Sequence, residues 1–159
     1  MAAPVYSIDS SALIHAWQRV YRPKNFGMVW RQLDGLIEEG RLRASIEILR
    51  ELQKKDDELF EWAKERRETL FVEIDDACQL EVIRIMDKYE RLVDTVKGRS
   101  GADPFVIALA AVCTPHLTVI TEEQPGRRNS PKIPDVCLAE GIPCFGLADF
   151  IEKENWQFG

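Results

Sequence analysis

An aspartate ends the opening run Val5-Tyr6-Ser7-Ile8-Asp9, and a second, Asp103, stands at the mouth of the apolar run Pro104-Phe105-Val106-Ile107-Ala108-Leu109-Ala110. Proline suits a first helical position, where its missing N–H has no partner to lose, so Asp103 is expected on the loop side of a helix start. Asp9 ends a strand in the same manner. Two carboxylates so placed suggest a metal site. Glu122 and Glu123 follow a second apolar run, Leu117-Thr118-Val119-Ile120-Thr121, and Glu51 lies in an early amphipathic segment. Three or four carboxylates in one cleft would repel one another unless protons or cations intervene. An all-oxygen donor set of this kind suits Mg²⁺ or Mn²⁺. Each acid also has a plainer use. Asp9 and Asp103 could cap helices, Glu51 could be a solvated helix residue one turn after Glu47, and Glu122 and Glu123 could be loop acids.

The elements that must position these residues alternate along the chain. The opening strand is followed by two amphipathic helices, Ser10 to Val20 with Leu13, Ile14, Trp17 and Val20 in register, and Met28 to Glu39, which stops at Gly40. Ala44 to Leu52 is ambiguous between strand and helix, and its continuing helical spacing favours a helix containing Glu51. A helix from Asp57 to Arg67, a short buried strand from Thr69 to Ile74 and a long helix from Asp76 to Val96 come next. In that long helix Leu80, Ile83, Met86, Leu92 and Val96 are expected inward. The Asp103 helix, the strand Leu117 to Thr121 and a polar loop from Glu122 to Lys132 follow. Ile133 to Glu140 reads as a helix closed by Gly141, Pro143 to Phe145 as a last strand, and Leu147 to Glu154 as a final helix. Strands separated by helices imply a parallel sheet with helices on both faces. Ligands gather at the carboxyl ends of such strands, where strand order reverses. Asp9, Glu122 and Glu123 follow strand ends and can share that edge, as can the helix start that holds Asp103.

A length of 159 residues with 45% hydrophobic content makes one domain, residues 1–159, with a single well-buried core. A net charge of -6 argues against a grip on nucleic acid by bulk positive charge, yet it leaves room for local basic patches. Lys97 and Arg99 precede Asp103, and Arg127, Arg128 and Lys132 follow Glu123, so basic residues flank the proposed cleft in sequence and could hold a phosphate backbone. Cys78, Cys113, Cys137 and Cys144 form no C-x-x-C pair, and the first residues lack an apolar signal core, which reads as a cytoplasmic protein with reduced thiols. His15 and His116 lack a nucleophile at a recognisable spacing. Trp17, Trp30 and Trp62 sit in helical apolar patterns and read as core. Trp17, Trp30 and Ile37 offer more apolar surface than one sheet face needs, which suggests a homodimer.

In their order, these residues resemble the PIN-domain ribonucleases. The resemblance rests on a strand ending in Asp before two small polar residues (Asp9-Ser10-Ser11), a helical Glu before Leu (Glu51-Leu52), an Asp opening an Ala-rich helix (Asp103-Pro104-Phe105-Val106-Ile107-Ala108), and a strand ending Val119-Ile120-Thr121 before acid. Lys54-Lys55-Asp56-Asp57-Glu58-Leu59 with Trp62, and Lys132-Ile133-Pro134-Asp135-Val136-Cys137, look like a PIN-like branch often linked to toxin–antitoxin pairs. The resemblance implies a three-layer α/β/α fold and a metal-dependent endoribonuclease that hydrolyses RNA phosphodiester bonds with Mg²⁺ or Mn²⁺. Asp9, Glu51 and Asp103 would be its metal-site carboxylates, with Glu123 completing the site. It further implies the toxin role and a small antitoxin as partner. The family has Asp two residues after the Thr, whereas Glu123 stands at that spacing here, beside Glu122 and upstream of Asp135. Ser10, Ser11 and Thr121 could orient the carboxylates. A PIN-like RNA- or protein-binding regulatory module is the alternative. A phosphohydrolase of another α/β type lacks its D-x-D-x-T nucleophile, since the run here is Asp9-Ser10-Ser11-Ala12.

Overall fold

The computed structural model describes residues 3–92 and 101–158. Its centre is a five-stranded parallel sheet ordered β3-β2-β1-β4-β5. The strands are β1 (Tyr6–Ile8), β2 (Leu42–Ser45), β3 (Phe71–Val72), β4 (Thr118–Ile120) and β5 (Cys144–Phe145). Around them lie α1 (Ser10–His15), α2 (Gly27–Glu38), α3 (Ile46–Lys55), α4 (Glu58–Glu65), α5 (Arg67–Leu70), α6 (Asp76–Lys88), α7 (Asp103–Ala111), α8 (Ile133–Glu140) and α9 (Leu147–Lys153). The fold is the expected α/β/α sandwich.

Side-chain alternation in β1 assigns the two helical layers, because successive residues of a strand point to opposite faces. Ser7 donates to the Val106 carbonyl of α7 at 3.0 Å, so α7 covers one face. Tyr6 meets the Phe150 ring of α9 edge-on at 4.8 Å and hydrogen-bonds Glu154, so α9 covers the other. Strand order reverses between β1 and β4. The chain leaves β1 at Asp9 and β4 at Thr121, side by side, and Asp9 N–H donates to the Ile120 carbonyl at 3.0 Å.

Several sequence expectations shift. Ala44 and Ser45 belong to β2 rather than to the helix expected from Ala44 to Leu52. Leu42 and Ala44 are buried on the sheet, while Ser45 turns the chain and accepts the Glu47 N–H as N-cap of α3. Thr69 and Leu70 close α5 instead of opening a strand. The helix begun at Asp76 ends at Lys88, with Tyr89 at its C-cap, and its register differs from expectation. Leu80, Ile83 and Met86 are 68%, 51% and 44% exposed, while Cys78, Val82 and Ile85 face the core. The two stripes lie on adjacent helical faces and both are apolar, so periodicity alone does not separate them. Leu92 is buried as expected, whereas Val96, Lys97 and Arg99 lie outside the described residues.

The segment Ala16–Val20 continues α1 as a π-helical turn. There Trp17, Trp30 and Trp62 meet, with ring centroids 4.9 Å apart for Trp17–Trp30 and 5.1 Å for Trp30–Trp62. The Trp30 indole N–H donates to the Tyr21 carbonyl at 2.6 Å, just past that turn, so the polar tip of a buried ring is satisfied. Trp30 and Ile37 are buried in the chain's own core and Trp17 packs against it, while Val20, Phe26 and Met28 nearby stay exposed.

Candidate functional site

Asp9 is the N-cap of α1. It has extended backbone, and its Oδ1 accepts the Ala12 N–H at 2.8 Å. Capping uses only part of the carboxylate. Thr121 donates its hydroxyl to Oδ2 at 2.5 Å, and the Ser11 hydroxyl lies 2.8 Å from both oxygens. Ser11 and Thr121 are held in turn by the loop after β4. Glu122 N–H donates to Ser11 Oγ and Glu123 N–H to Thr121 Oγ1, each at 3.0 Å. Burial pushes the Asp9 carboxyl up from its ordinary 3.8 to about 7. The Thr121 hydroxyl, the Ala12 N–H and the Ser11 hydroxyl oppose that rise, and the negative charge of Glu123 adds to it. Two hydroxyls and one backbone N–H therefore leave the ionised form poorly compensated.

The other expected carboxylates gather around this point to different degrees. Ser10 donates to Glu51 Oε1 at 3.3 Å, which brings α3 to the residue next to Asp9. Asp103 is buried and is the first residue of α7, with Ala102 at the N-cap and Pro104 second. This corrects the loop-side placement. The Ser7–Val106 bond fixes that first turn of α7 against β1, two residues before Asp9. The loop acids are in part committed elsewhere. Glu123 Oε2 accepts the Ile133 N–H at the start of α8 at 3.2 Å. Glu122 Oε2 accepts the Leu147 N–H at the start of α9 at 3.0 Å, and its Oε1 lies 3.4 Å from His15 Nε2. Gly146 allows that approach, since a Cβ there would stand 2.8 Å from Glu122 Oε2. Asp135 accepts N–H groups of Gly126 and Lys132 at 2.7 and 2.8 Å, so it is a capping residue of the loop. Glu123 is the loop acid whose charge Asp9 feels.

Among the described residues, no three His, Cys, Asp or Glu side chains already enclose a common ion position. The donor chemistry fits a hard divalent cation nonetheless. The acids are oxygen donors, and among the described residues Asp9 is a buried carboxylate with no cation to offset its charge. Arg128 lies with Lys88, Tyr89, Arg91 and Asn129 around a cleft of about 340 Å³, formed where the loop after β4 meets the end of α6. Sequence reasoning did not single out the thiols beside this site. Cys137 of α8 and Cys144 of β5 act on each other, and both feel the charge of Asp9. They are seven positions apart without a recognisable motif, and only the turn at Gly141 brings them together.

A family model described as "Domain of unknown function (DUF4411)" matches residues 6–158. No curated protein matches the sequence. A chain of VapBC2 from Rickettsia felis, solved bound to a DNA fragment from their promoter, superposes with a TM-score of 0.54 at 14% identity, over 89% of this chain and 98% of that one. A chain of FitAcB from Neisseria gonorrhoeae superposes with a TM-score of 0.52 at 15% identity, over 89% and 96%. Likenesses at this identity establish a shared fold. No helix among the described residues is long and apolar enough to cross a membrane.

Proposed function

Because the chain belongs to the family described as a domain of unknown function (DUF4411), its activity has to be argued from its site, and we propose that it is a PIN-like, Mg²⁺- or Mn²⁺-dependent endoribonuclease. The observation that carries this reading is Asp9: a buried acid at the strand-order reversal of a parallel sheet, ringed by hydroxyls, with Glu123 as a neighbour of its own sign. When bound there, a divalent cation would offset charge on a scissile phosphate and lower the pKa of an attacking water. Asp9 and Asp103 would be its principal holders, with Glu51 and Glu123 on either side. Ser11 and Thr121 orient Asp9, and Ser10 orients Glu51. Arg127, Arg128 and Lys132 would hold the RNA backbone.

The likeness to VapBC2 and FitAcB supports a toxin role. A small partner protein would then cover the cleft and place a Lys or Arg among Asp9, Glu51 and Asp103. That side chain offsets the same crowded negative charge as the cation. One observation favours a second reading, a PIN-like module that binds RNA or protein without cutting it. Glu122 and Glu123 already cap α9 and α8, and the acids do not converge on an ion position.

Incubating the purified, partner-free protein with labelled RNA and Mn²⁺ or Mg²⁺ separates the two. The nuclease reading expects cleavage that stops with EDTA and is missing from Asp9→Asn. RNA that is bound and stays intact under all metals favours the binding module. Cleavage unchanged in excess EDTA overturns the metal dependence.

A further inference from the structure

Cys137 and Cys144 sit at the two ends of a tight connection between α8 and β5. Helix α8 ends with Gly141 in the left-handed region at φ +71°. The Ile142 N–H then returns to the Cys137 carbonyl at 2.9 Å, a helix-ending bond that folds the chain back over the last turn. Two residues later Cys144 enters the sheet, paired with Val119 of β4. The turn thus brings a thiol of the helix and a thiol of the strand to the same end of the α8–β5 connection, where each acts on the other. Cys137 is fully buried and Cys144 is partly open, so one sulfur can meet a small solute while the other waits behind it. Cys144 also feels the charge of the loop acid Glu123. Glu123 caps α8 one turn before Cys137, and Glu122 caps α9 three residues after Cys144.

We propose that Cys137 and Cys144 are a redox dithiol that closes to an intramolecular disulfide on exposure to a hydroperoxide, cross-linking α8 to β5 beside Asp9. The Cys144 sulfur attacks the peroxide, the O–O bond breaks, one water leaves and Cys144 becomes a sulfenic acid. The Cys137 sulfur then attacks Cys144, the S–O bond breaks and a second water leaves. Two thiols lose two electrons and two protons, and one hydrogen peroxide becomes two waters. An exposed attacking thiol beside a second one able to resolve it is the arrangement this chemistry needs. The inference does not depend on the nuclease reading, and neither does its test.

The test treats the full chain with hydrogen peroxide and measures intact mass, free thiols and a map of cleavage after glutamate. Such cleavage separates the cysteines, since Gln124–Glu140 carries Cys137 and Gly141–Glu152 carries Cys144. The expected result is a loss of two mass units, a fall from four free thiols to two, and these two peptides joined until a thiol reductant is added. Cys137→Ala, with its fold checked by thermal melt, should instead trap a sulfenic acid on Cys144 at the same peroxide dose. Four thiols retained, oxygen added to the wild type without a bridge, or a bridge involving Cys78 or Cys113 would each overturn the proposal.

Discussion

Asp9 and Glu140 are two carboxylates with sheltered side chains and several hydrogen-bond donors each, yet their surroundings drive them in opposite directions. Glu140, at the end of α8, receives Tyr89 at 2.6 Å and Lys88 at 3.0 Å, and it pairs with Arg84 of α6. The Tyr89 hydroxyl and the two cations hold its carboxyl down at about 2, against the opposing effect of burial. Asp9 receives hydroxyls and one backbone N–H, with Glu123 as its charged neighbour, and burial pushes it up to about 7. The lesson concerns charge. Where this chain uses an acid to tie two helices together, it supplies the cations itself; at Asp9 the described residues supply only neutral donors, which leaves the positive charge to come from elsewhere.

The largest effect that would sharpen this contrast is on activity. Asp9→Asn and Asp103→Asn should each lower Mn²⁺-dependent RNA cleavage by roughly a hundredfold or more, the scale on which a lost catalytic group is felt. Glu140→Gln should leave it within about twofold of wild type. A Glu140 variant as inactive as the Asp9 variant would erase the distinction between the two acids.

Stability without metal should move the other way. Folded Asp9 keeps its proton up to about pH 7, while the unfolded chain releases it near pH 4. Over that window the unfolded state binds fewer protons, so stability falls as pH rises and the loss is complete above pH 7. The shift corresponds to on the order of 4 kcal/mol. Asp9→Asn can keep the Ala12 cap through its amide oxygen. In EDTA it should therefore melt well above wild type at pH 8 and lose most of that advantage at pH 4. Denaturation curves at the two pH values check this, and an Asn variant less stable than wild type at pH 8 would mark Asp9 as a simple cap.

Smaller effects test the hydroxyl ring and the control region. Thr121→Val removes the donor to Asp9 Oδ2 and leaves the Glu123 N–H unpaired. Mn²⁺ affinity should weaken by roughly tenfold, as when an orienting neighbour of a metal ligand is lost. Calorimetric titration gives the number, and an unchanged affinity would remove Thr121 from the site. For Glu140 the sign reverses: its contribution is complete above its ordinary 4.5 and is lost as pH falls towards 2. Glu140→Gln should cost on the order of 1 kcal/mol at neutral pH, since its partners are largely solvated. That difference should vanish in melts carried out near pH 2.

The sequence was most informative where residue type and backbone role coincide. Asp9 after an apolar strand, Pro104 after Asp103 and Gly141 after α8 each mark an element boundary by a local physical rule, and the alternating elements yielded the parallel sheet and its acidic edge. Strand β2 was not legible, because Leu42 to Ser45 is short and runs directly into α3, so helical spacing from Leu49 onward absorbed it. The register of α6 failed because Leu80, Ile83 and Met86 form an apolar stripe as regular as the one that is buried. At the site, Ser11 and Thr121 could be named from proximity to strand ends, but only the fold decides that Glu123, not Asp135, is the loop acid electrostatically tied to Asp9. The approach of Cys137 to Cys144 depends on a turn closing over seven residues, which spacing alone does not encode.

The most direct measurement is a pair of thermal melts at pH 7.5, with and without millimolar Mn²⁺, on wild type and Asp9→Asn. The account predicts that Mn²⁺ raises the wild-type melting temperature, because the ion binds the folded state at the acid that the fold leaves uncompensated. It predicts little or no change for the variant, which should already be as stable as the metal-loaded wild type or more so. An equal shift in both proteins, or none in the wild type, would contradict the claim that Asp9 is the centre of a cation site.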